Sequence, residues 1–285
     1  MQSPETASNT RAEMKQQVRL HFGGLATEYH HRNYVGFAQR GKYPDIYIRH
    51  RHILTLVDRK EAGRTLEIGV GGGQMMVELC ARGHRAYGVD LSPEMAVSAG
   101  HFLASRTPSR ATTIAAADVE QLCFGNGCFD LVVAAGVIEY LPDTAQALSE
   151  ITRVLRVGGI AILSVRNRLC LGRPLIAIRD LLAGLPAVGV VLQFATTYLR
   201  SLRRRDGDRQ KIFVRRDLPW RFRQDLRRHG LLPLEQAFYH FSVFPPSLER
   251  RFPRLCISIG MMLECLSGTF LGYLGRGFIV RARKM

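Results

Sequence analysis

Three carboxylates occupy matching places in the first half of the chain. Glu67 lies in the apolar run RTLEIG (64–69), two residues before the first glycine of the loop Gly69-Val70-Gly71-Gly72-Gly73-Gln74. Asp90 closes a second run, RAYGVD (85–90), and Asp118 follows a third, ATTIAAA (111–117). Short apolar runs that stop at glycine or at a Ser-Pro pair read as buried strands. A glycine-rich turn after a strand lets the backbone approach a ligand at the carboxyl end of a sheet. Carboxylates at three successive strand ends make that end of the sheet acidic.

Two ligands compete for such a cleft. A dinucleotide fingerprint asks for G-x-G-x-x-G/A and an acid about 20 residues further on. Gly69, Gly71 and Asp90 comply, but Gln74 holds the sixth position, where helix and strand pack closely. Glu67 would also repel a pyrophosphate. A sulfonium nucleoside fits the sign of the charge. Asp90 is then placed to accept both ribose hydroxyls and Asp118 to accept the exocyclic amine of adenine, with Leu91 and Val119 packing on the ring. The reading is S-adenosylmethionine (SAM), not NAD. Its candidate contacts are Glu67, Gly69, Val70, Gly71, Gly73, Asp90, Leu91, Asp118, Val119 and Ala135.

Those carboxylates need a sheet to hold them. Residues 13–22 and 44–58 have helical spacing, and residues 1–12 read as a frayed polar start. From residue 64 onward strands and helices alternate. A helix at 73–81 follows the first strand, and Ser92-Pro93 opens a helix after the second, with serine as N-cap and proline in the first turn. FDLVVA (129–134) is a fourth strand. A helix at 143–155 is closed by Arg156-Val-Gly-Gly159, and IAILSV (160–165) is a fifth strand. This alternation means a parallel sheet covered on both faces. The rhythm breaks at 168–212. A basic helix at 219–229 and strands at 234–243 and 277–282 complete the chain.

Four segments in this order resemble the class I SAM-dependent methyltransferases, in particular the group related to the ubiquinone and menaquinone methyltransferases. They are TLEIGVGGGQ (65–74), AYGVDLSPEM (86–95), AADVEQLCFGNGCFDLVVAAGVIEYLPD (116–143) and ALSEITRVLRVGGIAILSVRNR (147–168). Cys123 stands where that group usually has proline. The resemblance implies an α/β fold with a doubly wound, seven-stranded, mostly parallel Rossmann-like sheet that ends in a reversed hairpin. It also implies a helical lid over the cofactor at 1–60, a SAM-binding core at 61–167, a cap at 168–230 and sheet-completing strands at 231–285.

Methyl transfer from a sulfonium is an in-line displacement, so alignment and exclusion of water matter most. A general base helps when the acceptor is a phenol or an alcohol. No N-P-P-Y, Pro-Cys pair or metal-ligand cluster points to an amide, a pyrimidine ring or a metal-dependent catechol site. Glu139 and Tyr140 lie just beyond the fourth strand, where relatives line the pocket; the bland alternative is a capping acid and a packing ring. His240, on a late strand beside Phe238, is a candidate base by its ordinary pKa of about 6.5, or else a structural histidine. Tyr29 matches the relatives' lid pattern, or else packs without touching ligand. Catalytic candidates are therefore His240 and Glu139, and substrate candidates Tyr29, Tyr140 and Phe238.

The charge is uneven. The chain carries 40 Lys+Arg against 24 Asp+Glu, net +16. Residues 61–160 hold seven basic and eleven acidic side chains, whereas 168–228 hold fifteen basic and five acidic. The stretch 181–199 has no charge and is followed by Arg200, Arg203, Arg204 and Arg205. Its Pro, Gly and Gln dilute it below a membrane span. Apolar surface beside a polybasic cluster suits adsorption to an anionic membrane, and suits a cap over a hydrophobic small-molecule substrate equally well. A second apolar run, 255–274, follows. Nucleic acid is the runner-up partner, although aromatics do not interleave with the arginines. A non-catalytic scaffold is third. Six dispersed cysteines and a polar start without an apolar signal region suit a reducing cytoplasm. Oligomeric state is not legible.

Overall fold

The computed structural model describes residues 4–35, 44–58, 61–107, 112–170, 212–241 and 251–285. The uncharged stretch 181–199 and the arginines that follow it lie outside the described residues.

Helix α1 (Pro4–Gly23) starts nine residues before the expected helix at 13. Polar composition does not stop a helix, and proline is compatible with a first turn. A short π-helical turn (His31–Val35) and helix α2 (Asp45–Val57) follow. Then come β1 (Arg64–Ile68), α3 (Gln74–Ala81), β2 (Arg85–Asp90), α4 (Pro93–Ala104), β3 (Thr113–Ala116) and β4 (Phe129–Ala134). The Ser92 hydroxyl accepts the Met95 N–H at 3.2 Å, so the expected cap opens α4. A 3-10 turn (Ile138–Tyr140) leads to α5 (Ala145–Val154) and β5 (Leu155–Arg166). Helix α6 (Pro219–Arg228), β6 (Leu231–Tyr239), α7 (Pro253–Leu263), two 3-10 turns (Glu264–Gly268 and Phe270–Leu274) and β7 (Gly277–Lys284) complete the element order.

The seven strands lie in the order β3-β2-β1-β4-β5-β7-β6, with β7 antiparallel to both of its neighbours. The expected helix end at Arg156–Gly159 is instead the irregular start of β5. Gly158 has φ +74, and the β4–β5 register shifts between Phe129 and Leu131. Three extra residues on β5, between the pairs Phe129–Leu155 and Leu131–Ile160, bend the strand into line with β4.

Strand alternation divides the core. Phe129, Val132 and Ala134 of β4 and Ala161, Leu163 and Val165 of β5 join α5 and α6 on one face. Leu131, Val133, Ile160 and Ile162 point the other way, to α2, α3 and α4. With both faces covered, the carboxyl edge of the sheet is left to hold ligand.

Candidate active site

At that edge a cavity of about 330 Å³ runs from Asp118, past Asp90 and the glycine loop, to Glu139 and Arg166. Helix α1 and the following turn roof it with Lys15, Val18, Phe22, Leu25 and Tyr29. The loop demands glycine. Gly69 has φ +75, and a Cβ there would stand 2.4 Å from Val137 Cγ2. Gly71 has φ +51 and faces the Tyr29 ring, 3.0 Å from where its Cβ would be. Left-handed backbone and close approach both exclude larger residues.

Asp90 is fixed before any ligand arrives. Its Oδ2 accepts the Gly71 N–H at 3.1 Å and its Oδ1 the Ser92 N–H at 2.9 Å. Burial raises its pKa, and the N–H donors of Ser92, Gly71 and Leu91 oppose that rise. Glu67 lies deeper, in a narrow space under the loop shared with Val70, Gly71 and Arg49. It is 3% exposed, and its Oε2 has no hydrogen-bond partner among the described residues. Burial and the nearby Asp90 push its pKa well above the usual carboxylate range. A backbone hydrogen bond from Met76 opposes that rise, but a buried carboxyl oxygen without a partner is expensive unless a donor or cation comes to it.

Asp118 has company that its position in the sequence did not announce. Lys15 of α1 binds Asp118 Oδ2 and Glu120, and Arg11 binds Glu120 as well. Asp118 Oδ1 accepts the Glu120 N–H at 2.9 Å. A carboxylate offers about four acceptor sites, so room remains for an amine. Leu91, Val119 and Ala135 line the cavity, as expected of ring and loop contacts. Gly73 lies outside its lining and instead caps α3 with φ +79.

At the other end, Glu139 is 1% exposed. Its Oε1 accepts Arg166 Nε at 3.1 Å, and its Oε2 has no hydrogen-bond partner among the described residues. It therefore does not cap the next turn. Glu139, and then Tyr239 and Asp45, raise the Arg166 pKa against burial. Tyr140 packs edge-on to Phe22 at 5.3 Å and lines the cavity, as does Tyr29. Burial raises the Tyr29 pKa to about 12, so the phenol stays neutral.

Sequence reasoning gave no role to Arg49, which lies in none of the matched segments, or to Arg166, which lies within the last of them. Arg49 is 9% exposed and lines the main cavity and the space under the loop. Its guanidinium lies over Gly136, 2.4 Å from where a Cβ would stand. It makes no ion pair with a carboxylate among the described residues. Burial opposes its charge, but Tyr239, Glu139, Tyr29 and Tyr34 raise its pKa overall.

Two expectations need correction. Phe238 is buried in the core against Tyr273 and Phe278, with ring centroids at 4.6 and 6.1 Å, and does not line the cavity. The register of β6 with β7 shifts between Pro233 and Glu235, which decides the side on which Phe238 falls. His240 also lies outside the cavity lining. It turns left-handed at φ +65, its N–H bonds Glu264 Oε1 at 2.9 Å, and Nδ1 stands 3.7 Å from Asp45 Oδ2. Burial lowers its pKa to about 3, which makes it a poor base at neutral pH. His240→Asn keeps a side chain that tolerates the left-handed region and should leave turnover unchanged; a large loss of turnover with intact SAM binding would restore the base assignment. Among the described residues no group of His, Cys, Asp and Glu could hold a metal ion.

Residues 66–163 match the family model of a methyltransferase domain. Over 110 residues the chain is 31% identical to a sterol 4-C-methyltransferase of Caenorhabditis elegans, covering 39% of this chain and 33% of that protein. Over 107 residues it is 34% identical to a ubiquinone/menaquinone biosynthesis C-methyltransferase of Geotalea uraniireducens, covering 36% and 45%. The chain thus spans about a third to a half of the length of these curated relatives. A magnesium protoporphyrin IX methyltransferase of Synechocystis PCC 6803, solved with bound SAH, shares the fold with a TM-score of 0.60 at 17% identity, covering 95% of this chain and 100% of that one. A 1,6-didemethyltoxoflavin-N1-methyltransferase of Burkholderia thailandensis does so with a TM-score of 0.53 at 18% identity, covering 96% and 90%.

Proposed function

We propose that this chain, whose residues 66–163 form a methyltransferase domain, uses SAM to methylate a hydrophobic small molecule of the quinone, lipid or polyketide-like kind. SAM is the cofactor expected of such a domain. One observation carries the reading: a single cavity joins the acidic strand ends Asp90 and Asp118 to the buried, half-satisfied Glu139 under an apolar roof.

The residues suit a cationic amino-acid nucleoside. The orphan oxygen of Glu67 and the buried Arg49 stand together under the glycine loop, one suited to an ammonium and the other to a carboxylate. Asp90 suits ribose hydroxyls, and Asp118 with Leu91 and Val119 suits adenine. When bound, SAM supplies a methyl group on a positively charged sulfur, a leaving group that needs no acid. The chain then has to orient the acceptor, exclude water and take a proton. Val18, Phe22, Leu25 and Leu141 give the cavity apolar walls. Glu139 Oε2, with its partner oxygen held by Arg166, is the oxygen available to take a proton from an acceptor hydroxyl. Sterol and quinone methyltransferases among the relatives are consistent with a greasy acceptor.

Isothermal titration tests the cofactor: saturable SAM binding is expected, and tighter binding of NADH would reverse the choice. Arg49→Met should weaken SAM binding by about 1.5–3 kcal/mol, the range for a hydrogen bond to a charged group, with Arg49→Lys recovering part. Equal affinity in Arg49→Met, at an unchanged melting temperature, would remove Arg49 from the cofactor site.

A further inference from the structure

We infer that the stretch 251–271 is a docking face for a lipid bilayer that carries anionic headgroups. Helix α7 buries Cys256 and Gly260 and turns Leu255 and Met262 outward, at 57% and 67% exposure, and Phe252, which precedes its first turn, is 53% exposed. With the half-buried Ile259, these positions recur at helical spacing along one face. Phe270, at 85% exposure, and Leu271 extend the surface beyond the helix. Single exposed apolar side chains are ordinary, but six large ones along one short stretch, Met261 included, form a patch that calls for a partner.

The charge around the patch selects that partner. Arg251 and Arg254 are exposed beside it, and the Arg251 guanidinium lies 5.9 Å from the Phe252 ring centroid. An apolar helix face flanked by arginines is suited to lie in the headgroup region, its side chains in the acyl boundary and its cations on anionic lipid. A second copy of this face would set like charges against each other. Among the described residues no helix is long and apolar enough to cross a membrane, so the face lies on the bilayer.

The patch also sits on the rim that holds the cavity. Strand β6 runs parallel to β5 across β7, so its end at Tyr239 is on the carboxyl edge. Glu264, at the end of α7, accepts the His240 N–H and stands 3.4 Å from Nε2 of His52. His52 belongs to α2, the helix that carries Asp45 and Arg49 to the cavity wall. A lipophilic acceptor could pass from the bilayer to the cavity mouth along that rim. This reason for docking rests on the function proposed above; the docking itself does not.

Vesicle flotation tests it, with phosphatidylcholine alone and with phosphatidylcholine plus phosphatidylglycerol. The full chain should float with the anionic vesicles, and salt should weaken the association. Arg251→Ser with Arg254→Ser should lose about tenfold or more on anionic vesicles, the expected effect of two interfacial cations. Leu255→Ser with Met262→Ser and Phe270→Ser should lose at least about tenfold, since apolar insertion is removed, while SAM affinity and melting temperature hold. Failure of the unaltered chain to float overturns the proposal, as does flotation of the apolar variant at the level of the unaltered chain. Self-association that only the apolar variant abolishes, without flotation, gives the face to a second copy instead. Loss of SAM binding in the unaltered chain with flotation intact would defeat the methyltransferase reading and leave the docking face standing.

Discussion

Asp90→Ala should lose most of the cofactor affinity. Two hydrogen bonds from ribose hydroxyls to a carboxylate amount to about 2–4 kcal/mol, or roughly 30- to 900-fold in Kd. The same carboxylate braces the loop through Gly71 and the turn into α4 through Ser92, so its removal also loosens the ligand's backing. Asp90→Asn keeps the shape and one acceptor oxygen and should fall between. Titration calorimetry with SAM reads the effect, and a melting curve shows whether the fold survives. A folded Asp90→Ala protein with unchanged SAM affinity would refute the placement of the ribose.

Glu139→Gln should cost turnover and spare binding. General-base contributions run at about 10²- to 10⁴-fold, and glutamine keeps the volume while losing the basic oxygen. SAM affinity should stay within about twofold, because the residue stands at the far end of the cavity from Asp90 and Asp118, beyond direct contact with the bonds those groups make. SAH release with hydroquinone acceptors provides the assay. Full activity in Glu139→Gln would mean that the acceptor arrives already deprotonated.

The parts of this site that could be read in advance share a property: they are local. Glu67, the glycine loop, Asp90 and Asp118 each sit at a strand end whose position follows from a run of apolar residues, so their convergence follows once the strands are parallel neighbours. Arg49, Arg166 and Lys15 reach the cavity from α2, the end of β5 and α1. No spacing announces them, because an isolated basic residue on a helix is ordinarily solvated. Phe238 and His240 failed for another reason. Period-two alternation says which side chains share a face, not which face, and a register shift within β6 followed by a left-handed residue at its end decides that. The boundary between α5 and β5 was misplaced because Gly158 and Gly159 read equally well as a helix stop and as a strand irregularity. The antiparallel end of the sheet was legible only through resemblance, since nothing in the apolar pattern of 277–282 states a direction.

The position of β7 between β5 and β6 also bears on how the chain is made. Strands β1 to β5, which hold every carboxylate of the cofactor end, can pair as they emerge from the ribosome, each after β1 finding a neighbour already synthesised. Strand β6 cannot, because its sole described partner is β7, which is translated last of the seven. Until then β6 waits with Leu231 and Phe238 unburied, and β5 is an open edge available to other chains. Contacts across so long a loop form slowly. A nascent chain stalled within 240–276 would therefore carry a nearly finished cofactor cleft beside an unfinished, adhesive margin, which makes chaperone dependence and aggregation during slow translation properties of the C-terminal third, not of the catalytic core.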